Sequence, residues 1–576
     1  MAYSKLFLGN LPELICEIIQ YFRNDLSTLY SCILVNKLWC RLAIPLLWED
    51  PFSSTHVQNF QFIEIYLCNL NEDDRTKFNE YVNQLVNMEL MANCKQLVNM
   101  ELIANCSSTL FNYSSFIKRL NTHKVAYSIE NWLMDDKHWE NYPSFIELIT
   151  KNLLIHLEIS ILVYRLLFKM FIENEGNLHS FEVEVRTYDD RNYYLNDTME
   201  LTLQNPNFTC NIRHLNLIFY MDIIYIDINT NFFLLLKFLC SNCNSISSFY
   251  IRIINIYKFE GTKHVEKWLT QMINTQQNLK KISFEQNNFL YYSFSSLKNS
   301  NISNTLKIIT FYIIDFKEII NNIQEIFNQL NVLETIHIIY CYSLNSDFVQ
   351  QIINVIRPFK LKSLIMNQIL LNVELLQLLI QKFGSDLENF GFGHYKLPIQ
   401  KKQQLFKLII KYCRKIKYFS LIEPNYNNIN PTLSLIENIN QNLNYLDIKF
   451  ECYYDYYDDS SIGQILPSKL GFLKLEFFSI KPSKLLKIFL GNSQNTLIKR
   501  LFIKITVQEE VKDILPHIKE YIMKKKRAKY LAIFINNQDL VSLKDEVKEF
   551  ELYNIKVQKY DEYDESYIRV IDIVNN

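Results

Sequence analysis

The residues best suited to chemistry are thinly spread along this chain. Cys240-Ser-Asn-Cys243 has the spacing with which a thiolate pair opens a zinc site. Zinc needs four ligands, and no second pair lies at workable spacing, so the two cysteines read as thiols in a repeat core. Gly391-Phe-Gly393 is too short to cradle a phosphate and falls inside a strand pattern. The sequence contains no Gly-x-Gly-x-x-Gly, Gly-x-x-x-x-Gly-Lys, Gly-x-Ser-x-Gly or His-Glu-x-x-His. With 9 glycines in 576 residues, it is short of the residue such loops require. Lys524-Lys-Lys-Arg527 has the composition of a nuclear-import signal. It lies just before a strand pattern, and so reads as a solvated helix end whose cations offset the negative helix terminus. No catalytic residue, metal or cofactor is expected, and the chain reads as a non-enzyme. An enzyme whose site is unrecognised would need a deep pocket with perturbed ionisable groups in the linker after the first 50 residues.

What remains is a protein of surfaces, and its bulk properties agree. The length exceeds what one ordinary core fills, so several domains or an extended repeat array are expected. Hydrophobic residues make up 49% and the formal net charge is −1, which gives a folding chain with no global field toward nucleic acid or an anionic membrane. The 12 cysteines follow no framework spacing, and Met1–Asn10 lacks a secretory pattern. Reduced thiols and a cytoplasmic or nuclear location are expected. Leu153–Phe171 is the most apolar long stretch, but it carries His156, Glu158, Arg165 and Lys169, as a buried helix does and a membrane span rarely does.

Residues 5–52 form a dense helical block. Asn10, Pro12, Glu13 and Glu17 supply a cap, a first-turn proline and acids at the positive helix end. Leu14, Ile15, Ile18, Ile19 and Phe22 follow at helical spacing. Asn24-Asp25 breaks and recaps the pattern, Leu26, Leu29, Ile33 and Leu34 continue it, and Leu46-Leu47-Trp48 closes the block. So short a segment cannot bury this many large apolar groups alone, so part of its surface is expected to meet another protein.

The order Leu11-Pro12-Glu13-Leu14, Ile18-Ile19, Leu26, Val35-Asn36-Lys37-Leu38-Trp39 and Leu46-Leu47-Trp48 resembles an F-box. Glu13 directly follows Pro12 where that family often has an intervening residue, and Arg23-Asn24-Asp25 is poor in aliphatics. The resemblance implies docking on the small Skp-type adaptor of a cullin–RING ubiquitin ligase. It places Leu11, Pro12, Leu14, Ile18, Leu26, Val35 and Trp39 at the family's apolar contacts, with Trp48 as an internal core residue.

An apolar-x-x-apolar-x-apolar template starts at Leu178, Ile212, Ile246, Leu279, Leu306, Leu333, Leu361, Leu387, Ile416, Leu443, Leu470, Ile498 and Ala528. From Leu279 to Ile498 the starts lie about 26 to 29 residues apart. Helical patterns follow, as at Val373–Lys382 and Gln400–Lys415. One strand plus one helix cannot bury its own apolar face, whereas stacked neighbours can. The array over 153–576 resembles degenerate leucine-rich repeats, with the family's asparagine position irregularly kept. The expected fold class is thus α/β: a small all-helical module followed by a curved leucine-rich repeat solenoid.

Side chains alternate along strands, so the x positions face away from the buried ones. Lys281, Glu285, His337, Tyr445, Asp447, Lys449, Lys474, Arg500 and Lys504 are the candidate target-binding residues there, together with Ser283, Thr335, Phe472, Glu476 and Phe502. Most are expected to be solvated, and a handful to bind a partner. Residues 53–152 form a helical linker with a tandem 12-residue duplication, Gln84–Lys95 and Gln96–Ser107, close to three helical turns. The Tyr453–Asp459 cluster reads as an exposed loop and Asp561–Glu565 as a charged cap. The combined reading is a non-catalytic substrate receptor in ubiquitin-dependent degradation, binding the adaptor, through it a cullin, and an unknown target protein. The alternative is a repeat scaffold outside any ligase.

Overall fold

The computed structural model describes residues 12–23, 25–53, 60–92, 109–134, 152–186, 192–221, 230–255, 260–286, 291–298, 301–356, 360–366, 373–393, 399–422, 429–450, 463–478, 482–506, 511–536 and 538–560. Three short helices open it: α1 (Pro12–Tyr21), α2 (Leu26–Ile33) and α3 (Lys37–Leu47). The Asp25 carboxylate accepts the Thr28 amide at 3.1 Å and its hydroxyl at 2.7 Å. Asn36 Oδ1 accepts the amides of Leu38 at 2.9 Å and Trp39 at 3.0 Å. These bonds serve first-turn amides that have no acceptor within the helix. Ile15, Ile19, Leu29, Cys32, Trp39, Ala43 and Leu46 form the core between the helices.

The linker folds as α4 (Phe62–Leu67), α5 (Glu72–Ala92) and α6 (Thr122–Leu133). The first duplicated copy runs into the end of α5, and the second lies outside the described residues. Contrary to a purely helical linker, a short strand, β1 (Arg119–Asn121), precedes α6. Ile117, Leu120 and Thr122 are all buried at the template spacing. Thr122 occupies the third apolar position, which hides this strand from a hydrophobic pattern. Next comes α7 (Leu153–Glu173), capped by Asn152, with Ile159, Val163, Leu167 and Phe171 buried. Among the described helices none is long and apolar enough to cross a membrane.

Contacts divide the chain into two compact units, Met1–Lys280 with Asn287–Thr305, and Lys281–Gln286 with Leu306–Asn576. The first unit has parallel strands β1, β2 (Ser180–Arg186), β3 (His214–Met221) and β4 (Ser248–Asn255), paired in sequence order. The second has β5 (Lys281–Glu285), β6 (Ile308–Tyr312), β7 (Thr335–Ile339), β8 (Lys360–Met366), β9 (Asn389–Gly393), β10 (Tyr418–Ile422), β11 (Tyr445–Phe450), β12 (Lys469–Phe477), β13 (Leu497–Ile505) and β14 (Ala528–Ile535). These strands also pair in order and all in parallel. The short strands β15 (Gln538–Asp539) and β16 (Lys556–Val557) pair with β14. Every template from Leu178 to Ala528 falls on a strand of β2–β14, and helices occupy Val373–Phe383 and Ile399–Tyr412 between them.

Three of the described turns do without an asparagine. After β5, β6 and β7 the chain turns through left-handed Gln286 (φ 48°), Ile313 (φ 53°) and Tyr340 (φ 52°). Each donates its amide to the next strand's last residues, to the carbonyls of Tyr312, Ile339 and Ile365 respectively. That bond offsets a conformation which side chains such as Ile disfavour.

Candidate functional site

Two surfaces were expected to act, and each is built within one unit. In the N-terminal helices, the core residues leave a second set of apolar side chains facing out. Leu14 is 45% exposed, Leu26 41% and Val35 43%. Ile18 is half-buried against the core, and Trp39 belongs to the core itself at 8% exposure. Trp39 therefore supports the surface from beneath instead of forming it. Pro12 opens α1, and Leu11 lies outside the described residues. The motif reading missed Tyr21 (87% exposed), Tyr30 (61%) and Leu34 (88%). The available signal was spacing: Leu26, Tyr30 and Leu34 recur every four residues, on a different stripe from buried Leu29 and Cys32.

The block is fastened to the first unit's sheet by Glu49, just after α3. Its carboxylate meets Arg23 Nε at 3.3 Å and Arg119 Nε at 3.4 Å. Its carbonyl accepts the amides of Lys118 and Arg119, just as the Lys118 carbonyl accepts those of His179 and Ser180, and the His179 carbonyl those of Arg213 and His214. Glu49 thus stands where a preceding strand would. Trp48 packs between Tyr66 (ring centroids 5.0 Å apart) and Tyr113 (4.3 Å). Trp48 is half-buried, so it packs against these rings without being the fully internal core residue expected.

On the second unit's sheet, alternation holds but solvation does not. Glu285, His337, Asp447 and Lys474 are buried, with Ser283, Thr335 and Glu476, while Lys281, Tyr445, Lys449, Arg500 and Lys504 are half-buried. The expectation of a mostly solvated face is corrected here: these side chains are buried or half-buried, and Ile339, Ile365 and Tyr418 cluster with Tyr312, Tyr340 and Tyr445 on the same face.

The candidates fall into two groups, with Lys281, Glu285 and His337 on β5–β7 and the other six on β11–β13. In the second group the register sets Tyr445 beside Phe472 and Arg500, Asp447 beside Lys474 and Phe502, and Lys449 beside Glu476 and Lys504. The Glu476 carboxylate is shared by Lys474 Nζ at 2.6 Å and Lys449 Nζ at 2.9 Å. Burial pushes its pKa up, but the two ammonium groups outweigh this and hold it below the usual carboxylate range. Asp447 accepts the Ser420 hydroxyl at 3.2 Å. Around these charges lie Phe472 and Phe502, whose ring centroids are 5.0 Å apart, and Arg500 sits 5.6 Å from the Tyr530 ring centroid. The charged groups described on β11–β13 are thus largely paired within the sheet.

The remaining motifs resolve into packing. Cys240 and Cys243 are free and buried. The Cys243 thiol is pushed up to about 12 by burial and donates to the Thr209 carbonyl at 3.4 Å. Cys68, against the expectation of reduced thiols throughout, is disulfide-bonded. Among the described residues no group of three or more His, Cys, Asp and Glu side chains is placed to hold a metal. Lys524, Lys525 and Lys526 are exposed as expected, but Arg527 is buried. It donates to the carbonyls of Thr496 (3.1 Å), Leu490 (3.2 Å), Tyr521 (3.2 Å) and Ser493. The Tyr453–Asp459 and Asp561–Glu565 segments lie outside the described residues.

No family model matches the sequence, and no curated protein matches it. Among solved structures, the chain is similar to one from the Rad7 and Elc1 complex in yeast, at 10% identity and a TM-score of 0.36, over 68% of this chain and 92% of that one.

Proposed function

We propose that this protein is a non-catalytic substrate receptor of a cullin–RING ubiquitin ligase. Its N-terminal helices would be an F-box that docks on a Skp-type adaptor, and its leucine-rich-type repeats would hold a target protein. The observation that carries this reading is the double character of α1–α3. They bury a complete small core and still expose Leu14, Leu26, Tyr30, Leu34 and Val35. So many large apolar groups left exposed on so small a block suit protein association. Leu14, Leu26 and Val35 are among the residues that resemble an F-box, and that resemblance is what points to a Skp-type adaptor as the associate. No residue of this chain performs the ligation chemistry; its role is to raise the effective concentration of a target lysine near the charged ubiquitin carrier. Such work suits the cytoplasm or the nucleus.

Reconstitution tests the reading. The purified chain is mixed with Skp-type adaptor, cullin and RING subunit and resolved by gel filtration. Co-elution of all four is the expected result. Adaptor without cullin would leave a scaffold outside the ligase, and elution of the chain alone would overturn the docking assignment.

A further inference from the structure

The second unit's sheet carries a polar row that the target-binding reading does not use. Its register aligns Ser283, Thr310, His337, Ser363 and Asn389 on the consecutive strands β5–β9. None is more than 3% exposed. Thr310 Oγ1 and His337 Nδ1 lie 3.4 Å apart. His337 Nε2, Ser363 Oγ and both Oδ1 and Nδ2 of Asn389 find no hydrogen-bonding partner in the protein. Protein interiors pair nearly all such groups, because each one left dry keeps its full desolvation cost. Here the unpaired atoms gather on three adjacent strands, which marks a site for something that pairs with them.

The chemistry of the row restricts the occupant. Burial, with Lys281 and Lys362 nearby, pushes His337 down to about 3, so its imidazole is neutral. Ser363 and Asn389 are neutral too, and each both donates and accepts. The occupant is therefore uncharged and able to do both. It is also small. At Gly391, one rung beyond Asn389, a Cβ would lie 3.0 Å from Ser420 Cβ and 3.2 Å from Ile365 Cγ2. Ile339, Ile365 and Tyr418 close the neighbouring space. Adjacent strands lie about 4.8 Å apart, and two hydrogen bonds through one water span about 5.5 Å. We propose that the His337–Ser363–Asn389 row is an internal water-binding site, with ordered waters bridging His337 to Ser363 and Ser363 to Asn389 across β7, β8 and β9.

Oxygen-17 water relaxation dispersion of the full chain, with hydrogen exchange of the β7–β9 amides, tests this. Asn389→Leu is expected to remove slowly exchanging water from the dispersion, and Ser363→Ala to lower β8 amide protection about tenfold. Unchanged dispersion, or protection that rises in both variants, would overturn the proposal, since dry polar groups are relieved by apolar replacement. If a variant fails to fold, a crystal structure of the wild-type chain decides. Discrete water peaks within hydrogen-bond reach of Ser363 and Asn389 support the site, and a row with no density or with a larger molecule refutes it.

Discussion

The N-terminal helices and the sheet of the second unit treat residue types in opposite ways. The helices leave Leu26, Tyr30 and Leu34 in water, whereas the sheet hides Glu476, Asp447, Lys474 and His337 from it. Residue type alone would assign contact to the charged face and core to the apolar one. Burial reverses that assignment. An exposed leucine on a small, otherwise satisfied core is free to associate, whereas a carboxylate enclosed by two ammonium groups is already committed to its own fold.

Substitutions can break this contrast, beginning on the sheet. Glu476→Ala leaves Lys449 and Lys474 without their shared counter-charge in a buried setting, and is expected to cost about 3–5 kcal/mol in denaturant unfolding. A loss below about 1 kcal/mol would mean that the pair is solvated. Within the helices, neighbours in sequence should behave as opposites. Ile15→Ala removes a fully buried side chain and should cost about 2–5 kcal/mol. Leu14→Ala should stay within about 0.5 kcal/mol, because Leu14 is 45% exposed.

The pH profile sharpens the contrast further. His337 has a folded-state pKa of about 3, well below the ordinary histidine value, through burial and the nearby Lys281 and Lys362. Below about pH 6.5 the unfolded chain takes up a proton that the folded chain refuses. Stability should therefore fall progressively as pH drops from about 6.5 toward 3, and His337→Gln should flatten that stretch of the stability–pH curve. The smallest effect belongs to the α2 cap. Asp25→Ala loses both bonds to Thr28 and should cost about 1 kcal/mol, measurable as fraying of α2 amides in hydrogen exchange.

Much of this architecture was legible in the sequence because repetition multiplies a weak signal. A single apolar-x-x-apolar-x-apolar match means little, but a run of them located β2–β14, at a regular period from Leu279 to Ile498 and at wider gaps before it. β1 escaped because Thr122 buries itself where the template asks for an apolar residue. The exposed apolar set of the N-terminal helices was legible in part. Leu14, Leu26 and Val35 were found through their family positions, while Trp39 was drawn into the same set although it lies in the core. Tyr30 and Leu34 were missed because a motif lists positions, whereas exposure depends on the phase of the helix. The burial of the charged strand face was not legible at all. Alternation puts Ile339 and Ile365 on the same side as His337 and Ser363, but it does not say that they and Tyr418 pack together there.

On the proposed reading, the adaptor is held by the exposed apolar residues of α1–α3 and not by their core. Calorimetric titration of Skp-type adaptor into the full chain and into a Leu14→Asp, Val35→Asp variant tests it most directly, with circular dichroism to confirm unchanged helix content. On the proposed reading, binding is weakened by about 100-fold or more in a fully folded variant. Equal affinity of the two proteins would contradict it.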